Sequence, residues 1–437
     1  MSRTGKSSPV QPEMKAFFRL DFETWPDLKG QAWQDLTSLA QNPLRPVLMY
    51  SKSQLREAAK TWRSYLYAAV DPNGQRPIAV THGPTDMGST DTKAANFGSG
   101  DGGPISPQLR CLYSVKAQPE LEVLRVLSEV VDGFDVSSRQ ELELIHREFP
   151  KQFVSYSGPG KTIGDLEFAA HAADRIQLDS VEEAEIAQGV WDKLDSNSIR
   201  AELSVRLSLA ADSKLGLSHS EFTSLWRRSH FFPKNIRGAH WYLGRESFSG
   251  LAFEEAWLRA RPNLELINTS SANRSGLELT IGLGLPSLSK TWPQLQLPRD
   301  LSVSTWNFEA GRCLVQDAAV YWAPIVAVKN RSERVVIVEG GTQHLGGLLS
   351  PVYGSQGLRV QAVRQGQAIR LREVESERTH IYGSLCLSHD RLGPPLELPR
   401  DLRVGDWLGF SSIGAYNLSA SATDFIGRPR PLIWMLP

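Results

Sequence analysis

The chain is poor in cysteine. Its 437 residues hold three, Cys111, Cys313 and Cys386. An odd number at wide spacing cannot staple a disulfide scaffold and fits a reducing compartment, so a cytoplasmic location is expected. Long apolar runs are missing too, and none approaches the ~18 residues of a membrane-crossing helix. Charge of either sign is not in excess, since Lys+Arg and Asp+Glu both number 48. Such a balance gives no bulk pull toward nucleic acid or an anionic membrane, and neither is expected as a partner. Residues Met1 to Gln11 are polar and lack the apolar core of a signal peptide. No metal site is assigned.

What is present is length and alternation. With 41% hydrophobic residues the chain can bury a large core, and an α/β barrel absorbs about 250 residues as one domain. Residues 1–14 read as a disordered tail, and 15–45 as a segment packing with a distal β domain. A short strand at Pro46–Tyr50 precedes a helix to about Leu66, with Leu55, Ala59, Trp62 and Leu66 on one face. Asp71 to Gln108 is rich in Gly, Pro, Ser, Thr and Asp and reads as a flexible insertion.

From Leu109 the pattern is regular. Leu109–Ser114 alternates like a strand and ends at Val115-Lys116-Ala117. Further apolar strand cores fall at Phe134–Val136, Phe153–Tyr156, Arg175–Leu178, Leu203–Leu207, Ile236–Tyr242, Leu277–Gly282 and Val303–Phe308. Helical periodicity fills most of the gaps. Eight strands with intervening helices predict an α/β fold, a (β/α)8 TIM-like barrel over 46–310, with an open doubly wound sheet as runner-up. After Leu314 the helices stop, and 311–437 reads as a β domain with strands at Val320–Val328, Arg334–Val338, Leu358–Val363, Ala368–Val374, Ile381–Leu387 and Trp407–Ser411.

A lysine at the carboxyl end of a barrel strand lies where such folds carry chemistry, so Lys116 is a candidate Schiff-base amine. Several short motifs join it in order: Tyr113-Ser-Val-Lys116-Ala, Gly133-Phe-Asp135-Val-Ser-Ser138, Gly158-Pro-Gly-Lys161, Lys214-Leu-Gly216, Gly238-Ala-His240-Trp-Tyr242-Leu-Gly244, Gly282-Leu-Gly284, Glu309-Ala-Gly-Arg312, Cys386 with Asp390, and Gly414-Ala-Tyr416. Together they resemble the fold-type III pyridoxal-phosphate decarboxylases, the group of ornithine, arginine and diaminopimelate decarboxylases. The resemblance implies a β/α barrel plus β domain, pyridoxal 5'-phosphate as cofactor, and a homodimer with shared active sites.

The resemblance also implies roles. Lys116 would form the Schiff base. Gly282, Gly284, Gly311, Arg312 and Tyr416 would cradle the phosphate. Glu309 would face the pyridine nitrogen and keep the ring cationic. Cys386, arriving from the partner subunit, would protonate the product. Asp135, Arg206 and His240 would orient the lysine or the cofactor, and Tyr242 stands where the family stacks a histidine on the ring. Alone, Gly-Leu-Gly is an ordinary turn, Glu309 a strand-end carboxylate and Cys386 a core thiol.

The departures fall on the substrate side. Arg245 stands where a serine is usual, and Leu387 where an acidic residue is common. The stretch Ser350–Tyr353 lacks the arginine that diaminopimelate decarboxylases use. Arg245, Tyr353 and Asp390 are therefore the substrate-contact candidates. The expected reaction is decarboxylation of an amino acid or amino-acid conjugate, of the kind found in siderophore or natural-product biosynthesis. A racemase or epimerase on the same scaffold, or a non-catalytic homologue, are the alternatives; Glu309 speaks against racemisation, where the family's racemases place an arginine.

Overall fold

The computed structural model describes residues 34, 38, 44–70, 107–210, 213–244, 249–270, 276–286, 292–349 and 359–437. The expected tail 1–14, most of the 15–45 segment and nearly all of the 71–108 insertion lie outside these residues.

Eight parallel strands close into a barrel: β2 (Gln108–Ser114), β3 (Gly133–Val136), β4 (Phe153–Tyr156), β5 (Arg175–Leu178), β6 (Glu202–Arg206), β7 (Ile236–Tyr242), β8 (Leu277–Gly282) and β9 (Val303–Ala310), with β9 returning to β2. The strands are short, mostly apolar runs; β3 and β5 are followed within two residues by a helix-capping serine, while β4, β6 and β7 lead through longer loops to a capped helix. Ser138, Thr162, Ser180, Ser218 and Ser249 each accept a backbone N–H from the first turn of a following helix. Thr162 and Ser218 complete reciprocal capping boxes with Asp165 and Glu221. These caps fix where the following helices start.

The barrel interior carries a polar ladder. Gln177 donates to Ser155 and Thr280, and Asn307 donates to Thr280, each at 3.3 Å. Nearer the amino ends, Arg175 is buried and meets Glu202 at 2.7 Å and also Glu278. The ladder pairs part of this buried polar set, while Gln177 Oε1 and Arg175 Nε and Nη1 find no hydrogen-bond partner among the described residues.

The second domain is a nine-stranded sheet, in the order β13 (Gln367–Ile369), β12 (Val360–Arg364), β16 (Trp407–Ser411), β10 (Ala319–Lys329), β11 (Arg334–Val338), β14 (Ser376–Tyr382) and β15 (Leu396–Pro399). Strand β1 (Val47–Ser51) pairs antiparallel with β10 and parallel with β17 (Leu432–Leu436). This corrects the expectation that the barrel domain begins near residue 46. All five residues of β1 are buried in the second sheet, and the closed barrel begins at Gln108. The helix Lys52–Val70 crosses between them and docks on the barrel, with Arg63 bonding Asp132 at 2.9 Å.

Three further expectations are corrected in this domain. A helix, Thr342–Leu349, follows Gly340 and Gly341, so the helices do not stop at Leu314. The Ala368–Val374 strand is confined to Gln367–Ile369, because a 3₁₀ turn starts at Leu371. The Ile381–Leu387 strand is shifted to Ser376–Tyr382. It ends there because Gly383 packs against Gly340, Gly341 and Asp390 so closely that a Cβ would lie 2.3 Å from an Asp390 carboxylate oxygen.

Candidate active site

The carboxyl ends of the barrel strands surround a cavity of about 640 Å³. Its wall includes Ser114 at the end of β2, Arg206 of β6, His240 and Tyr242 of β7, Gly282 of β8 and Glu309 of β9, with Tyr416 reaching in from the second domain. Tyr416 is placed by its own N–H, which donates to the Ala117 carbonyl at 2.9 Å, and by a backbone φ of +59°.

Lys116 follows β2 in a single 3₁₀ turn. Its Nζ donates to Asp135 Oδ2 at 2.9 Å and to Ser137 Oγ at 3.3 Å. Asp135 is wholly buried, while the Lys116 side chain keeps 43% of its surface, the portion facing the cavity. Burial opposes the Lys116 ammonium, but the negative charges of Asp135 and Glu309 and the nearby Tyr416 outweigh it, and the amine is held above its ordinary range. Burial and the neighbouring Glu309 push the Asp135 carboxyl up, against Lys116 and the Ser157 hydroxyl, which donates to it.

Glu309 is buried, yet its carboxyl is held below the ordinary range. Desolvation works against the anion, and His240, Lys116 and Arg206 overcome it. His240 Nε2 meets Glu309 Oε2 at 3.2 Å. Among the described residues the second oxygen, Oε1, is buried with no hydrogen-bond donor, and His240 Nδ1 is buried with no partner. A ligand N–H presented to Glu309 would satisfy the orphaned oxygen.

The glycines leave room that a side chain would fill. A Cβ on Gly282 would lie 2.6 Å from the Tyr242 ring, and one on Gly284, at φ +65°, would lie 1.7 Å from the Gly244 carbonyl oxygen. A Cβ on Gly311 would stand 2.9 Å from Ala117 Cβ and 3.1 Å from the Tyr416 hydroxyl. The Arg312 guanidinium lies 5.0 Å from the centre of the Tyr416 ring and donates to Gln316 at 3.1 Å. Bare backbone, a guanidinium and a phenol beside one another form a cradle for a phosphate. The cradle, the orphaned Glu309 oxygen and the cavity-facing amine fit pyridoxal phosphate.

Lys116, Asp135, Arg206, His240, Tyr242, Gly282, Gly284, Glu309, Gly311, Arg312 and Tyr416 are thus gathered at one end of the barrel. Cys386 is not among them. It is exposed, on a turn after β14, and does not line the cavity of its own chain. Asp390, expected at the substrate, is instead fully buried, and its oxygens accept N–H groups from Thr342 at 2.7 Å and Leu385 at 2.8 Å. It shapes the turn that carries Cys386. Arg245 and Tyr353 lie outside the described residues.

Among the wall residues that the sequence reading left unassigned are three serines and a lysine: Ser114, Ser137, Ser157 and Lys214. The three serines each stand at or just after a strand end, which was the available signal; Lys214 was visible only within the Lys-Leu-Gly motif.

An eight-stranded barrel with a strand-end amine, a buried carboxylate opposite and a β domain closing the mouth defines a class of cofactor-dependent lyase. The family model for "pyridoxal-dependent decarboxylase, C-terminal sheet domain" matches residues 47–414, and the chain belongs to that family of decarboxylases. Similar proteins include the 2-[(L-alanin-3-ylcarbamoyl)methyl]-2-hydroxybutanedioate decarboxylase of Staphylococcus aureus, 23% identical over 73% of this chain and 86% of that protein. The L-glutamyl-[BtrI acyl-carrier protein] decarboxylase of Niallia circulans is 26% identical over 75% and 82%. Among solved structures, the diaminopimelate decarboxylase of M. jannaschii in complex with L-lysine covers 92% of this chain and 89% of its own at a TM-score of 0.69, with 18% identity. No described helix is long and apolar enough to cross a membrane.

Proposed function

We propose that the chain decarboxylates an amino acid or amino-acid conjugate using pyridoxal phosphate, in a siderophore or natural-product pathway. The observation that carries this is one cavity holding the Lys116 amine, bonded to Asp135, and Glu309 with an unpaired buried oxygen. Two similar proteins named for conjugated substrates support the conjugate as a substrate class.

When bound, the cofactor supplies an electron sink for the pair left on Cα as carbon dioxide departs. Lys116 would hold the cofactor's aldehyde carbon, with Asp135 and Ser137 orienting its Nζ. Glu309, kept anionic and aimed by His240, would hold a proton on the pyridine nitrogen. Gly282, Gly284, Gly311, Arg312 and Tyr416 would bind the phosphate, and Tyr242 would cover the ring face. A second copy of the chain would bring Cys386 to the mouth, where its thiol delivers a proton to Cα. The exposed position of Cys386 on a turn braced by Asp390 supports that assignment.

The test is release of carbon dioxide from a panel of amino acids and conjugates by wild type and Lys116→Ala. Wild type releases it and the variant does not; equal release by both would remove Lys116 from the chemistry. Loss of substrate chirality without carbon dioxide would select a racemase instead.

A further inference from the structure

The turn that carries Cys386 is fastened to the rest of its own chain at several points. Gly383 N–H donates to the Asp390 carbonyl and Ser384 N–H to the Gly340 carbonyl, each at 2.8 Å. Within the turn, the Asp390 carboxylate accepts Leu385 N–H at 2.8 Å. A further fastening comes from a separate segment. Arg428 donates through Nη2 to the Ser384 carbonyl at 2.9 Å, and its Nη1 meets the two Glu339 oxygens at 3.2 and 3.3 Å. Glu339 directly follows β11, is buried, and donates its own N–H to the Pro324 carbonyl at 2.9 Å.

One guanidinium therefore ties together the end of β11, the Cys386 turn and the chain after the 3₁₀ turn Phe425–Gly427. The planar fork suits this task, because one Nη faces the carboxylate while the other reaches the carbonyl; an ammonium presents a single point charge. Arg428, Glu339 and Ser384 do not line the cavity of their own chain. The Arg428 side chain keeps 38% of its surface, so its removal empties no core space. The brace acts on a turn whose thiol is exposed.

We infer that Arg428, anchored on Glu339, is a positioning residue for the proton donor: it holds the Cys386 turn in the shape that enters the cavity of a second subunit. This rests on the reading of Cys386 as the partner's proton donor, and the test separates the two. Amide hydrogen exchange of peptides spanning 383–390, read by mass spectrometry, reports the brace without turnover. Arg428→Ala and Glu339→Gln are expected to speed exchange there while the barrel strands exchange as in wild type, with Arg428→Lys in between. Unchanged exchange in both overturns the inference. Activity is carbon dioxide release from the amino acid of the panel that wild type uses fastest. Arg428→Ala should lower kcat roughly 10- to 100-fold, with KM and affinity for pyridoxal phosphate within about twofold of wild type. A fall in cofactor affinity equal to the fall in kcat would mean a general loss of structure and overturns the inference.

Subunit mixing then shows to which side of the site Arg428 belongs. Arg428→Ala mixed with Lys116→Ala is expected to regain about a quarter of wild-type activity, because each hybrid has one site with both contributions intact. Arg428→Ala mixed with Cys386→Ala regains nothing, because both changes fall on the same contributor. With Lys116→Ala and Cys386→Ala complementing each other, any other pattern overturns the inference and leaves the shared site standing. Failure of Lys116→Ala and Cys386→Ala to complement would instead remove the shared-site reading, and the inference with it.

Discussion

His240 on β7 and Glu309 on β9 bond at 3.2 Å across the end of the strand that lies between them. Strand β8 ends between them in Gly282, where a Cβ would lie 2.6 Å from the Tyr242 ring, so the bare backbone there leaves room for that ring. The pair leaves the second Glu309 oxygen buried and without a hydrogen-bond partner among the described residues.

Glu309→Gln keeps the shape and removes the charge. Without an anion, the ring nitrogen is no longer held protonated, and kcat is expected to fall by about 100-fold or more while the protein still folds. Steady-state kinetics and a circular dichroism melt check both halves. The folded carboxyl of Glu309 is depressed, so its contribution to stability is present above the unfolded pKa, about 4.3, and is lost as pH falls through the folded value. The stability gap between wild type and Glu309→Gln should therefore be level at neutral pH and close under acid. A gap that widens in acid would mean that the carboxyl is not held below its ordinary range.

Gly311→Ala probes the cradle. The added methyl would meet Ala117 Cβ at 2.9 Å and the Tyr416 hydroxyl at 3.1 Å, both on the phosphate side. Affinity for pyridoxal phosphate is expected to drop by about tenfold, equivalent to about 1.4 kcal/mol, with little change in kcat at saturating cofactor. A fluorescence titration of the apoprotein reads this directly. An unchanged affinity would place the phosphate elsewhere.

The barrel was legible because its strands are short, mostly apolar runs separated by helical periodicity, and neighbours in sequence pair in space. The β domain was less so. Among the described residues, strand β17 pairs only with β1, which lies far away in the sequence, and no local pattern announces such a partner. Strand β14 begins with the exposed polar residues Ser376, Glu377 and Arg378, so its apolar half alone signalled a strand and drew the reading past Gly383 onto Cys386. Family motifs pointed to Lys116, Gly282, Gly284, Gly311, Arg312 and Tyr416, which the structure gathers around one cavity. They did not show that Asp390 is spent on backbone N–H groups, because burial depends on the fold of the 383–392 turn and not on residue type.

Asp390→Asn tests that structural role. The carboxylate serves two donors, Thr342 N–H and Leu385 N–H, through separate oxygens, and an amide offers only one acceptor. One buried donor is left unpaired, at a cost of about 1–3 kcal/mol. Urea denaturation should show a lower midpoint with an unchanged slope. If Asp390 instead bound substrate, the midpoint would stay and KM alone would rise.

Cys386 and Lys116 can be tested as residues of one site built from two chains. The Cys386 thiol is exposed and lies outside the cavity that its own chain forms, while Lys116 faces that cavity. Lys116→Ala and Cys386→Ala should each be nearly inactive alone. Mixed in equal amounts and allowed to exchange subunits, half of the dimers would be hybrids under two-fold symmetry. Each hybrid would join a wild-type Lys116 to a wild-type Cys386 at one of its two sites, so about a quarter of wild-type activity should return. A site contained within one chain allows no such recovery. Continued inactivity in a mixture shown by mass spectrometry to contain hybrids would therefore assign the proton delivered to Cα to a group other than the partner's thiol.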